Sequence, residues 1–213
     1  MLLMKKIRLY MYCRVLTIAL LLILAFPLVS GAQSPLADNL PQPRVVLRNN
    51  LLYDATLSPN LGLDLRVDTA WTVGLLAGFN AWDIDKDSNK KWRHMLFSLR
   101  ARKYGRGQLF HKGYFESDLI YSHYNVGNIK FPFGLYKSVR DRRLQGDLIA
   151  LGGKYGYSWI MARDWRIEAE AGVAVGYAWF KEYDCAVCGS YYGKDDRIFL
   201  LPQLGINVVY IIN

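Results

Sequence analysis

Cys185 and Cys188 form the one C-x-x-C pair in the chain, and that spacing suits three chemistries. In an oxidising compartment two such thiols close a disulfide, which would staple the surrounding loop. A structural zinc site needs four ligands, and no second C-x-x-C accompanies this one, while His94, His111 and His123 are scattered. A redox pair of the thioredoxin kind expects a βαβ setting, which the surrounding pattern lacks. The disulfide is therefore the expected reading, with metal and redox roles as alternatives. Ser122 beside His123 offers the one serine–histidine neighbourhood for lipid hydrolysis or transfer. Adjacent residues of a strand point to opposite faces, so these two make poor partners, and no catalytic residue is assigned. Asp83, Asp85 and Asp87 resemble the opening of a calcium loop but lack its glycine and distal glutamate. No metal ligand and no cofactor are expected.

A different chemistry sits between residues 125 and 146. Phe131 and Phe133 interleave there with Lys137, Arg140, Arg142 and Arg143. Arginine's planar fork donates two bonds to phosphate or carboxylate. A long aromatic and cationic loop could thus engage lipid head groups, surface polysaccharide or a partner protein; the plainer alternative is a solvated basic loop.

These residues need elements to hold them, and the first segment supplies an address. Lys5, Lys6, Arg8 and Arg14 precede the uncharged apolar run Val15 to Val29, and Ser30-Gly31-Ala32 then offers small residues for cleavage. Residues 1–32 read as a signal peptide and 33–43 as a proline-rich periplasmic leader. Of 27 basic and 18 acidic residues, four basic ones lie in the signal, which leaves 23 − 18 = +5 for the mature chain. So mild an excess, without a clustered basic face, excludes a nucleic-acid partner.

From Arg44 onward the apolar residues recur every second position. Between Trp165 and Trp179 the odd-numbered residues are apolar or aromatic, while Arg166, Glu168 and Glu170 fall on the other parity. That separation is a strand's signature. Seven further strands are predicted at Arg44–Ala55, Leu61–Asp68, Trp71–Trp82, Trp92–Lys103, Gly113–Tyr124, Asp147–Trp159 and Arg197–Ile212. Short connections alternate with long ones, as in an up-and-down barrel with both termini in the periplasm. The fold expected is all-β: an eight-stranded antiparallel barrel of outer-membrane type, occupying residues 44–213. The second face carries Asp64, Arg66, Arg100, Arg102, Glu116, Asp118, Lys154, Arg166, Glu168 and Glu170. Five acids and five bases suit a plugged, ion-paired interior. Periodicity alone also permits the inverse, a soluble lipocalin-like carrier with an apolar cavity. Aromatics near the strand ends (Trp71, Phe79, Tyr157, Trp159, Trp165, Tyr177, Trp179 and Tyr210) favour a membrane belt instead.

Several blocks carry a family resemblance. Asn50-Leu51-Leu52-Tyr53-Asp54-Ala55 and Ser58-Pro59-Asn60-Leu61-Gly62 resemble the opening of the family named domain of unknown function 3575. Lys90-Lys91-Trp92-Arg93-His94, Tyr124-Asn125-Val126-Gly127, Lys130 to Gly134, Arg140 to Gly146, Tyr155 to Trp159 and Cys185 to Gly189 are similar to its later marks. The resemblance implies an outer-membrane-barrel-like protein, typical of Bacteroidetes, with no established activity to carry over. The expected role is therefore structural or interaction-based, through the long loops, with outer-membrane lipid around the wall. A lipid-modifying barrel enzyme and a soluble carrier of an apolar ligand are the alternatives.

Overall fold

Alternation of inward and outward side chains dictates strands, and strands dominate the structure. A computed structural model describes residues 44–85, 90–105, 109–129, 137–184 and 190–212. The proposed signal peptide and leader (1–43), Asp87, Phe131, Phe133, Cys185 and Cys188 lie outside the described residues. The elements are β1 (Val45–Asn50), α1 (Leu51–Ala55), β2 (Asn60–Arg66), β3 (Trp71–Asn80), β4 (Asp83–Asp85), β5 (Lys90–Tyr104), β6 (Lys112–Gly127), α2 (Lys137–Asp141), β7 (Arg142–Ile160), β8 (Trp165–Asp184) and β9 (Tyr191–Ile212).

All nine strands belong to one antiparallel sheet, in the order β3-β2-β1-β9-β8-β7-β6-β5-β4. A further pairing of β3 with β5 joins its ends, so eight strands form a closed ring of hydrogen bonds with β4 appended to β5. The offset of the ring follows from its registers. Starting at Arg48, the partners run Gly62, Leu76, Ser98, Ile120, Ala150, Gly176 and Phe199. Arg48 itself faces Val209 on β9, ten residues along from Phe199. Ten residues of stagger over eight strands tilt the strands by about 40° and leave an interior that side chains can fill.

The expected strand cores are present, but several boundaries move. The stretch predicted as one strand over Arg44–Ala55 splits at Asn50. Its side chain accepts from the backbone N–H groups of Leu52 and Tyr53, a helix cap that turns the chain out of the sheet into α1. The expected loop at 83–91 contains β4, whose Asp83 pairs with Lys91 of β5. The expected loops at 125–146 and 181–196 give up their ends to strand. β6 reaches Gly127, β7 starts at Arg142, β8 runs to Asp184 and β9 starts at Tyr191. Side-chain pairs hold these extensions: Arg142 bonds Glu182, and Arg143 stacks on the Tyr183 ring at 4.1 Å. Arg142 and Arg143 are thus strand residues rather than loop residues.

Both ends of the interior are apolar. Val46, Tyr104, Leu109, Phe110, Tyr114, Val209 and Ile211 close the end where the chain termini meet. Phe110 takes a left-handed φ of 59° in the β5–β6 turn yet is fully buried. That conformation costs about 1–2 kcal/mol, which burial of the ring, at about 1.5–3 kcal/mol, offsets. Ser158 holds the turn by donating to the Phe110 carbonyl at 3.1 Å. At the other end Val126, Val139, Leu144, Ala178 and Phe180 form a second plug.

Glycines leave room for the side chains between the plugs. A Cβ at Gly74 would stand 1.8 Å from Asp64 Oδ1 and 2.7 Å from the Leu63 carbonyl, whereas one at Gly153 would meet nothing within 4 Å. Gly74→Ala should therefore cost about 1–3 kcal/mol through overpacking. Gly153→Ala should cost nothing and gain a few tenths of a kcal/mol from the less flexible unfolded chain. Denaturant titration of the refolded protein measures both.

Candidate functional site

Between the apolar plugs lies a layer of buried ions contributed by six strands. Arg48 of β1 donates to Asp64 of β2 through Nε (3.0 Å) and Nη2 (2.8 Å), and it also pairs with Glu168 of β8. Arg100 of β5 reaches the other Asp64 oxygen at 3.1 Å. Arg102, two residues on and on the same face, is the hub. It pairs with Glu116 of β6, and it reaches Glu168 at 3.3 Å and Glu170 at 3.4 Å. Lys154 of β7 lies 2.7 Å from Glu116, 3.1 Å from Glu170 and 3.6 Å from Asp118. Two neutral groups complete the layer. Tyr114 donates its hydroxyl to Glu168 (3.0 Å) and Glu170 (2.9 Å), and Gln203 of β9 donates to Asp118 at 2.8 Å. The Arg102 guanidinium also stacks over the Tyr114 ring at 4.8 Å.

Four cations (Arg48, Arg100, Arg102, Lys154) face five carboxylates (Asp64, Glu116, Asp118, Glu168, Glu170), a net of 4 − 5 = −1. Burying a lone charge is prohibitive, but a cross-braced set in good geometry is sustainable. Eight of the ten interior charges expected from strand parity thus meet in this layer. The other two do not. Arg66 is half-buried at the terminal end of β2, and Arg166 donates to the carbonyls of Ala162 (2.7 Å), Trp165 (3.0 Å) and Arg163 (3.1 Å), capping the β7–β8 turn.

Sequence reading missed Arg48, Tyr114 and Gln203. Arg48 shares its parity with Val46 and Asn50, so the signal was present. It was obscured because the predicted strand ran on through α1. Tyr114 and Gln203 carry no charge, and nothing in their spacing separates them from ordinary strand residues.

A cavity of about 20 Å³ sits against the ion layer, toward the second apolar plug. Arg100, Asp118, Lys154 and Glu170 line it on one side, and Leu76, Leu96 and Ile120 on the other. Five buried polar atoms around it lack a partner among the described residues: Ser98 Oγ, Arg100 Nε, Asp118 Oδ1, Gln203 Oε1 and Asn207 Nδ2. Room for about one water matches that set.

Outside the ring the remaining candidates are spread over the far rim. Arg142 bonds Glu182 and stacks on Tyr192 at 4.0 Å, while Arg197 reaches Glu182 at 3.1 Å and Asp195 at 2.5 Å. Exposed Arg140 is bound to Asp141 at 2.6 Å, which raises its pKa above the ordinary value. Lys137 begins α2. Ser122 faces inward and is buried, whereas His123 points out and meets Asp147 at 2.8 Å, as does the Tyr121 hydroxyl. Serine and histidine are therefore on opposite sides of the wall. Among the described residues no cluster of metal-ligating side chains occurs.

Arg102→Met should destabilise the protein by about 3–5 kcal/mol, because four carboxylates (Asp64, Glu116, Glu168 and Glu170) lose their shared cation. Adding Glu168→Gln should recover part of the loss. A double-mutant cycle by denaturant titration should give a coupling energy of about 1–3 kcal/mol, and strict additivity would count against the network.

The family model described as "Protein of unknown function (DUF3575)" matches residues 17–212, and the chain belongs to that family. No curated protein matches the chain.

Proposed function

We propose that this member of the family is an exported, eight-stranded up-and-down β-barrel of a bacterial outer membrane, with a structural or surface-interaction role at its outer rim. One observation carries the reading: the outside of the ring is a continuous band of exposed apolar side chains. Leu63, Val73, Leu99, Leu119, Leu151 and Val175 all lie on it, at 40–67% exposure. A soluble protein does not keep a belt of this extent in water, and the polar layer sits inside instead. Aromatic residues mark both borders. Trp71, Trp159, Trp165 and Tyr210 ring the terminal end, and Phe79, Tyr121, Tyr177 and Trp179 the far end. Along β8 the step from Trp165 to Tyr177 covers twelve residues, which at about 2.5 Å of height each on a tilted strand spans roughly 30 Å. Among the described residues no helix is long and apolar enough to cross a membrane, so the strands would make the crossing.

The soluble-carrier alternative loses support from the interior. Ligand pockets run to about 300 Å³ or more, and here the space is about 20 Å³ beside a layer of ions. The enzyme alternative loses support from the separation of Ser122 and His123. Beyond the far aromatic belt β7, β8 and β9 continue as a raised edge. It carries exposed Tyr191 and Tyr192 beside Arg142 and Arg197. Tyrosine and arginine are the residues that anchor protein partners. The disulfide expected for Cys185 and Cys188 and cleavage after Ala32 belong to the same proposal.

Membrane fractionation and gel mobility with and without boiling test the assignment. The mature chain should partition with detergent and migrate faster unboiled. A monodisperse chain in plain buffer would overturn the reading. Leu151→Arg adds a magnitude. In lipid vesicles it should cost about 2–4 kcal/mol, as expected for a cation near the bilayer midplane, whereas on a water-exposed wall the change would be near zero.

A further inference from the structure

Toward the far rim the outward face of the ring changes character in a fixed order. The registers place Tyr121, Ile149, Tyr177 and Ile198 in one row across β6, β7, β8 and β9. Two residues up each strand the row is His123, Asp147, Trp179 and Asp196. Two residues further, Asn125, Gln145, Lys181 and Lys194 lie side by side, with Arg93 of β5 next to Asn125. Apolar and aromatic side chains thus give way to a mixed row and then to amides and cations. On a tilted strand two residues climb about 5 Å, so Lys181 stands about 5 Å above Trp179. Lipid head groups fill a layer of about that depth outside the hydrocarbon.

The uppermost of these rows holds cations and no carboxylate. Lys181 and Lys194 are directly opposite each other, and both are exposed. Odd-numbered residues of β9 carry its hydrogen bonds to β8, as the Ile211 N–H bonded to the Asp164 carbonyl shows. Lys194 is even-numbered, so the two lysines form a non-hydrogen-bonded pair, the kind whose side chains approach most closely. Like charges in that position repel. Among the described residues neither lysine forms an ion pair. The carboxylates of the row beneath are already engaged. Asp147 accepts from the Tyr121 hydroxyl and meets His123, both at 2.8 Å, and Asp196 accepts from the Tyr177 hydroxyl at 2.9 Å. Glu182, beside Lys181 in sequence, is buried on the other face, where Arg142 and Arg197 hold it. Gln145, on the far side of Lys181, adds an amide donor to the row.

We infer, on the membrane reading above, that the Lys181–Lys194 pair seats the phosphate of an anionic lipid in the outer leaflet. Two adjacent ammonium groups with three donors each suit a phosphomonoester, which brings close to two negative charges to one point. A phosphodiester brings one, and a zwitterionic head brings a cation of its own. Directly beneath the pair, Ile149, Tyr177 and Ile198 are exposed, Ile198 at 72%, and they give the acyl chains of the same lipid a wall to lie on.

The test uses the full mature chain in phosphatidylcholine nanodiscs that carry a minor share of phosphatidic acid (a phosphomonoester) or phosphatidylglycerol (a phosphodiester). Lipid retained on the protein is counted by native mass spectrometry, with glycerol phosphate as the soluble comparator. Phosphatidic acid should be retained about tenfold over phosphatidylcholine, with phosphatidylglycerol between them, and the preference should shrink as salt is raised. Lys181→Gln with Lys194→Gln, shown to fold by unboiled gel mobility, should abolish the preference. Each single substitution should lose part of it, and the singles decide the matter if the pair does not fold. Lys103→Gln with Arg163→Gln, which removes the same charge at the terminal end, should keep it. A preference that survives the Lys181 and Lys194 substitutions, an equal loss in the terminal-end variant, or glycerol phosphate held as well as phosphatidic acid overturns the site. A chain that needs no amphiphile to stay monodisperse overturns the membrane reading instead, so the two failures are distinguishable.

Discussion

Closure is the constraint on which this molecule depends. A sheet with free edges exposes a row of unpaired backbone groups, and a sheet that meets itself hides them. Here the β3–β5 and β1–β9 pairings complete the circuit. Closing eight strands with a stagger of ten then fixes the bore, and a bore of that size has to be filled by side chains. Glycines, charges and aromatic plugs are all answers to the filling problem. Gly74 yields space to Asp64, and Gly62 and Gly205 yield it to Arg100 and Glu170.

The fill is ionic in the middle and greasy at both ends, and the order has a physical logic. Every second residue of every strand must point inward, whatever the outside requires. An apolar fill throughout would leave the two faces alike, and nothing would penalise a one-residue slip that turns each strand inside out. A charged layer makes that slip costly, because it would carry the layer's charges outward and their apolar neighbours inward. Arg102, bonded to carboxylates on two other strands, binds strands that are far apart in sequence. Its role is to set register, and what it adds to net stability is a separate matter.

Much of this was legible in the sequence, since alternation and charge parity are local. Trp165 to Trp179 displays both without interruption, and Asp64, Arg100, Arg102, Glu116, Asp118, Lys154, Glu168 and Glu170 could be assigned to one face from parity alone. The strand ends were not legible. Asn50 reads as one more polar residue in a strand, and only its cap on Leu52 and Tyr53 reveals a helix start. The extensions of β7, β8 and β9 were equally hidden. They are held by pairs such as Arg142–Glu182, forty residues apart, which no window of sequence can contain. The ion layer was visible as a face but not as a network, because the choice of partners is made by the ring's stagger.

The β1–β9 junction has a consequence for assembly order. Val45 pairs with Ile212, the first described strand with the last, over six residue pairs. The β7–β8 junction is about three times longer and connects adjacent segments. Bringing distant segments together costs more chain entropy than zipping adjacent hairpins, so the short junction forms late. Until then the remainder must persist as a curled, open ribbon, with Arg48 beside Asp64 of β2 but still apart from Glu168. Arg48 thereby acts as a latch: its meeting with Glu168 of β8 marks the moment at which the ring closes.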